Sequence, residues 1–228
     1  MTMSSGRDPV ITIDGPAGAG KSTVAQGLAR RLGFRLVSTG ALYRALAWAV
    51  REAGIPAEDA TALGRVLDHT TVALVGERVV VDGRDVSGEI RTPPITELTS
   101  QLTKLRAVRD KMTPLQRALA ARGGVVLEGR DTGSVVWPEA EVKFYLDGAL
   151  ATRARRRQAD LRAQGVEMDL AAVEVDVAAR DRQDMSRAIA PLVKPEGAVV
   201  VDATSLTPDE VVELMARVVE QAWCCTKS

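Results

Sequence analysis

Apolar positions along the 228-residue chain change their spacing several times, and each change marks a predicted element. The β-branched run "PVITID" (residues 9–14) stops at glycines, and "STVAQGLARRLG" (22–33) then places apolar residues every three to four positions up to Gly33. The first pattern predicts a strand, and the second a helix with Gly33 as its C-cap. A second strand is predicted in "FRLVS" (34–38), and a helix in "GALYRALAWAVREAG" (40–54), with Leu42, Leu46 and Ala49 or Val50 on one face. "DATALGRVLDH" (59–69) repeats the helical spacing. Then "TVALVGERVVVDG" (71–83) holds two β-rich runs around Gly76 and Glu77, the pattern of a hairpin.

Residues 93–122 read as helical, broken near Leu105 and Arg106, with Pro114 expected to kink the helix or mark a boundary. "GGVVLEG" (123–129) and "EVKFYLD" (141–147) are near-continuous apolar runs, as in strands covered on both faces. "ATRARRRQADLRAQG" (151–165) and "LAAVEVDVAARDRQDMSR" (170–187) are arginine-laden helices, and "GAVVVDA" (197–203) is a last strand. "TPDEVVELMARVVEQAW" (207–223) closes the chain as a helix with Thr207 at the N-cap and Pro208 at the first helical position. Strands alternating with helices predict a parallel α/β core carrying a small inserted sheet.

Composition narrows the class. At 46% hydrophobic and 26% charged residues, a chain of this length can bury a core of one or two domains. Thirty acidic and thirty basic residues cancel, which gives no overall field to attract nucleic acid or an anionic membrane. The polar start "MTMSSGRDP" lacks the apolar run of a signal peptide, and no membrane-length apolar stretch follows, so a cytoplasmic protein is expected. Cys224 and Cys225 are adjacent near the end, which excludes a disulfide framework and a two-pair zinc site within the chain. His69, the one histidine, reads as a surface or packing residue.

The chemistry starts at "GPAGAGKST": Gly15, Pro16, Ala17, Gly18, Ala19, Gly20, Lys21, Ser22 and Thr23 fit G-x-x-x-x-G-K-[ST] between a strand and a helix. Consecutive backbone N–H groups at a helix N-terminus form an anion nest, Lys21 can reach the β/γ phosphates and Ser22 can offer a hydroxyl to Mg²⁺. A nucleoside triphosphate, ATP, is the expected ligand. Two classes stay open here, a small-molecule kinase and a nucleotide-driven switch or motor. The chain has no guanine-reading N-K-x-D, and "VVLEGRD" follows Glu128 with Arg130 and Asp131 rather than ending in the Asp-Glu pair of a motor. Transfer between two phosphate-bearing substrates needs cations between them, and arginine's planar fork suits phosphate. Arg44, Arg130, Arg180 and Arg187, at predicted strand ends and loops, favour the kinase.

The motifs "GPAGAGKST", "STGALYR", "GRDVSGEIRT", "TSQLTKLRAVRD", "VVLEGRDTGSVVWPEAEVKFYLD", "TRARRRQ" and "RDRQDMSRAIAPL" occur in an order and spacing that resemble the bacterial cytidylate kinases, over nearly the whole length. The resemblance implies a single kinase domain with the three-layer P-loop fold. Its parts would be a central parallel sheet with the loop at 15–23, a monophosphate-binding insert with a small antiparallel sheet at about 40–110, and a helical lid at about 153–187. It implies transfer of the ATP γ-phosphoryl to CMP or dCMP with Mg²⁺, by a monomer with no nucleic-acid or membrane partner. By the same resemblance Arg153 and Arg157 would lie near ATP, and Thr39 and Arg44 would line the CMP site. Ser100, Arg109 and Asp131 would read cytosine, Arg130 and Arg187 would hold the acceptor phosphate, and Arg180 and Asp184 would reach the pentose and the transferring group. Lys21, Arg130, Arg180 and Arg187 form the implied catalytic set. A carboxylate and a guanidinium complement the donor and acceptors of cytosine's edge, whereas uracil inverts two of those groups.

The chain departs from the family at Ser38, where Asp is usual. Glu128 could take over part of that carboxylate's work near Mg²⁺, or be a strand-end charge solvated at the sheet edge.

Overall fold

The computed structural model describes residues 8–224, so Cys225 lies outside the described residues. The described residues divide into two compact units, one of residues 8–37 and 119–224 and the other of residues 38–118.

The first unit is built on a five-stranded sheet. β1 (Val10–Asp14) lies at its centre, with β2 (Arg35–Ser38), β6 (Val125–Glu128), β7 (Val142–Asp147) and β8 (Val199–Asp202) in the order β2-β6-β1-β7-β8. β1 is parallel to both β6 and β7, and β7 is parallel to β8. Every residue of β1 and β6 is buried, as their continuous apolar runs predict. β7 instead alternates buried and partly buried positions, and edge strand β8 leaves Val199 and Val200 exposed. Helices α1 (Lys21–Leu32) and α8 (Pro208–Cys224) cover the sheet, packing Val24, Leu28, Met215 and Val219 against Ile11, Ile13, Phe144 and Leu146.

The punctuation of these elements follows their residues. Gly33 takes a left-handed conformation at the end of α1, and the Phe34 N–H reaches back to the Ala29 carbonyl, a Schellman closure. At the start of α8, the Glu210 N–H donates to Thr207 Oγ1 while the Thr207 N–H donates to Glu210 Oε2, so the Thr207 cap is one half of a capping box. α6 (Leu150–Ala163) and α7 (Leu170–Met185) complete this unit.

The second unit holds α2 (Thr39–Glu52), α3 (Ala60–His69), α4 (Pro93–Leu102) and most of α5 (Arg106–Ala120). The expected hairpin is present as β3 (Val72–Val75) antiparallel to β4 (Arg78–Val81), and a short third strand, β5 (Arg84–Asp85), extends it. Two residues are too few for a periodic signal, so the sequence pattern does not announce β5. Pro114 neither ends nor divides α5, which runs through it; the helix break falls between Leu102 and Arg106, as expected. His69 is the last residue of α3.

Candidate phosphate-binding site

β1 and β6 run side by side with Ile13 opposite Glu128, and the Gly129 N–H donates to the Ile13 carbonyl. Their carboxyl ends therefore release two loops next to each other, the glycine-rich loop after Asp14 and the "GRD" loop after Glu128. Parallel α/β sheets place ligands at this edge.

The glycine-rich loop is closely backed. A Cβ on Gly15, at φ +152°, would lie 2.0 Å from the Leu146 carbonyl oxygen, and one on Gly18, at φ +72°, would lie 2.6 Å from the Arg153 carbonyl oxygen. Neither position tolerates a side chain without moving backbone. Lys21 is buried at the first turn of α1, its Nζ donating to the Pro16 carbonyl at 2.7 Å. Burial, and after it the Arg130 guanidinium, hold its ammonium well below the ordinary lysine range, against the pull of Glu128, Asp14 and Asp184. A buried cation with so much against its charge gains from an anionic ligand.

Ser22 Oγ donates to Glu128 Oε1 at 3.1 Å. Glu128 is buried, so the picture of a solvated strand-end charge does not hold. No group of three or more His, Cys, Asp or Glu side chains among the described residues could hold a metal by itself. A hydroxyl beside one carboxylate does fit Mg²⁺, which keeps several waters and takes most other ligands from substrate phosphates. Ser38 accepts from the Ala41 N–H at 3.2 Å and caps α2, a position that serine fills as well as aspartate.

Asp14 occupies the end of β1. Its carboxylate accepts from the Thr132 N–H and hydroxyl, each at 2.8 Å, and from the Gly133 N–H at 2.7 Å. Burial outweighs these bonds and, with Asp131 adding to it, pushes the Asp14 carboxyl up to about 6. Thr132–Val136 forms a single π-helical turn, with N–H groups of Val136 and Trp137 donating to the carbonyls of Asp131 and Thr132. Asp131, buried, stands at the start of that turn.

Arg130 and Arg187 meet on one carboxylate. Arg130 Nε donates to Asp184 Oδ2 at 2.7 Å, and Arg187 Nη2 donates to Oδ1 of the same residue. Burial alone would raise the Asp184 carboxyl, but the Arg130 and Arg187 guanidiniums win and hold it below the ordinary aspartate range, with Arg180 adding to their pull. Arg130, Asp184 and Arg187 are thus brought together, and Arg180 acts on the same carboxylate.

Arg153 is a second centre. Its Nε donates to the Gly148 carbonyl at 2.8 Å, and its Nη1 to the Ala17 carbonyl at 2.9 Å and to Asp181 Oδ2 at 2.5 Å, while the Ala17 N–H donates to Asp181 Oδ1 at 2.9 Å. Arg153 grips the loop through its backbone. The next arginine to touch the loop is Arg156, not Arg157: Arg156 Nη1 donates to the Ala19 carbonyl at 3.2 Å and Nη2 to the Ala203 carbonyl at 2.6 Å. Asp14, Arg156 and Asp181, which bond the glycine-rich loop or the turn beside it, are positions that sequence reasoning misses. Asp181 carries a signal, since it lies three residues before Asp184 and i,i+3 positions share a helix face.

In the second unit, Thr39 is buried at the first turn of α2, and Arg44, half-buried, brings Nη1 to 3.4 Å from where a Gly40 Cβ would lie. Ser100 is half-buried on α4. Arg109, buried on α5, donates Nη1 to the Thr103 carbonyl at 3.5 Å and lies 5.8 Å from the centre of the Tyr43 ring.

Comparison with known proteins follows the same lines. The family model described as "Cytidylate kinase" matches residues 11–221. A cytidylate kinase of Symbiobacterium thermophilum is 49% identical over 216 residues, covering 92% of this chain and 96% of that one. A bifunctional pantoate ligase/cytidylate kinase of Synechococcus elongatus is 45% identical over 221 residues, which are 93% of this chain and 42% of that protein. Among solved structures, an uncharacterized protein from Eubacterium ventriosum shares the fold with a TM-score of 0.53 at 12% identity, over 93% of this chain and 99% of its own.

Proposed function

From its place in the cytidylate kinase family, to which this chain belongs, we propose that it transfers the γ-phosphoryl of ATP to CMP or dCMP, releasing ADP and CDP or dCDP. The observation that carries the reading is the pair Arg130 and Arg187 on Asp184, with Arg130 and Asp184 both acting on Lys21 of the glycine-rich loop. A switch that only hydrolyses its nucleotide has no acceptor phosphate for such a pair of guanidiniums to hold.

The N–H groups of residues 18–23 hold the triphosphate, and the negative β/γ oxygens offset the burial that disfavours the Lys21 ammonium. Arg130 and Arg187 hold the acceptor phosphate, and Arg180 stabilises the charge on the transferring group. The transition state is loose, so these residues act by position and by charge neutralisation rather than by covalent chemistry. Mg²⁺, when bound, neutralises charge on the triphosphate; Ser22 would hold it, with Glu128 fixing the Ser22 hydroxyl. Asp14 keeps the π turn, and with it Asp131, at a set place beside the loop. For the base we assign Ser100, Arg109 and Asp131, and for the acceptor's sugar and phosphate Thr39, Arg44 and Asp184. Residues of about 40–110 serve as the monophosphate-binding insert and about 153–187 as a lid that excludes water from the transfer. The work belongs to pyrimidine nucleotide metabolism in the cytoplasm. No helix among the described residues is long and apolar enough to cross a membrane.

The test is ADP release from ATP and Mg²⁺ with CMP, dCMP, UMP, AMP, GMP or shikimate supplied singly. Rapid turnover with CMP and dCMP, slow turnover with UMP and none with the others is the expected result. ADP release that no acceptor accelerates would overturn the reading.

A further inference from the structure

Ala17, within the glycine-rich loop, has both its N–H and its carbonyl held by side chains. The N–H donates to Asp181 Oδ1 and the carbonyl accepts from Arg153 Nη1, while Arg153 and Asp181 bond each other. Both side chains are 9% exposed. A buried ion pair adds little net stability over an apolar pair of the same volume, because desolvation offsets most of the attraction. What this pair does that an apolar pair cannot is fix both polar groups of one loop residue in direction.

The pair also ties the loop to α7. Asp181 sits three residues before Asp184 on that helix, and Asp184 holds Arg130 and Arg187. Arg180 lies next to Asp181 in sequence. One helix thus carries a carboxylate for the glycine-rich loop, a carboxylate for the two arginines and a third arginine, so a shift of α7 moves all of them together.

We propose that Asp181, directly and through Arg153, is the positioning residue of the glycine-rich loop, setting the backbone at Ala17 so that the following N–H groups meet the triphosphate in register with Arg130, Arg180 and Arg187. The inference rests on the reading above for the identity of the triphosphate. Both side chains are spent on the loop backbone and on each other, so each acts through the loop.

Three variants test it. Asp181→Asn keeps an oxygen for the Ala17 N–H but loses the charge that holds Arg153. Arg153→Lys keeps a charge for Asp181 but cannot fork to Gly148, Ala17 and Asp181 at once. The double variant Arg153→Met with Asp181→Leu fills the space with apolar groups. Calorimetric titration with Mg²⁺ and ATP, without acceptor, is read beside the melting temperature and the separate KM values for ATP and CMP. Expected are an ATP affinity about tenfold weaker in all three, a KM for CMP within about twofold of the parent, a lower kcat, and a double variant that melts near the parent temperature yet still binds ATP weakly. ATP affinity and kcat within twofold of the parent in the variants that fold, or a double variant that regains ATP binding along with its melting temperature, would overturn the proposal. A parent protein that binds ATP but phosphorylates neither CMP nor dCMP would overturn the acceptor reading alone, since the ATP titrations decide the role of Asp181 without an acceptor.

Discussion

The sheet core and the α6–α7 pair sit in the same unit and are held by different forces. Around β1 and β7, α1 and α8 bury large side chains at helical spacing, with Leu28, Phe144 and Leu146 fully buried. Between α6 and α7 the buried apolar set is small, Ala17, Ala154, Leu161, Val173 and Val177, and it includes a residue of the glycine-rich loop itself. Ion pairs stand beside it: Arg153 with Asp181, and Asp184 with Arg130 and Arg187. Apolar burial is non-directional and scales with area, so it serves to hold a scaffold. Charge-assisted hydrogen bonds are directional, so they serve to set where guanidiniums and loop peptides point. The molecule uses the first where it needs stability and the second where it needs geometry.

That contrast can be pressed at several points. Phe144→Ala, in the sheet core, is expected to lower the unfolding free energy by about 4 kcal/mol in a denaturant titration, with the KM values of the folded fraction unchanged. A drop in ATP affinity instead would mean that the core and the loop are not separate in function.

A smaller effect is expected from pH. Because the Asp14 carboxyl is pushed up to about 6 from 3.8, the folded protein holds a proton that the unfolded chain has released. Stability from this group is therefore present below about pH 4 and falls as pH rises toward and through 6, by about 3 kcal/mol in total. Asp184, held low by its arginines, has the opposite sign and loses its contribution as pH falls below the ordinary aspartate range. Urea titrations at about pH 4.5 and pH 7 are expected to show a steeper fall with rising pH in the parent than in Asp14→Asn. Equal pH dependence in the two would show that Asp14 does not carry this proton.

The smallest effect tests charge on the scaffold. Arg31 on α1 pairs with Glu213 and Glu220 of α8, with side chains about half exposed. Arg31→Ala is expected to change the unfolding free energy by less than about 1 kcal/mol, with no change in kinetics. A larger loss would show that surface ion pairs, not buried area, bind α8 to the core.

Much of the fold and part of the site are legible in the order of residues alone. The strand, loop and helix of residues 10–32 announce themselves because β-branched runs, glycine and 3.6-residue spacing act locally, and Lys21 and Ser22 follow from the same stretch. The arginines are legible as a set, since phosphate chemistry asks for guanidiniums in number. Their partners are not. Asp14 looks like the polar end of a strand, and nothing near it in the chain announces Thr132 and Gly133, 118 and 119 positions away. Arg153 is placed near ATP by the family resemblance, and nothing local in the sequence marks the protein groups it meets. Those groups, Gly148, Ala17 and Asp181, are fixed by how the chain packs around α6 and α7.

By itself, then, the sequence determined most of the elements, the parallel α/β class, the phosphate-loop motif and the family, because periodicity, turn chemistry and contiguous motifs are properties of neighbouring residues. Only the tertiary structure decided the register that sets Ile13 opposite Glu128, the burial that raises Asp14 and depresses Lys21, and the carboxylate that each arginine meets. Desolvation and ion pairing depend on distances between residues far apart in the chain, and those distances exist only once the chain has folded.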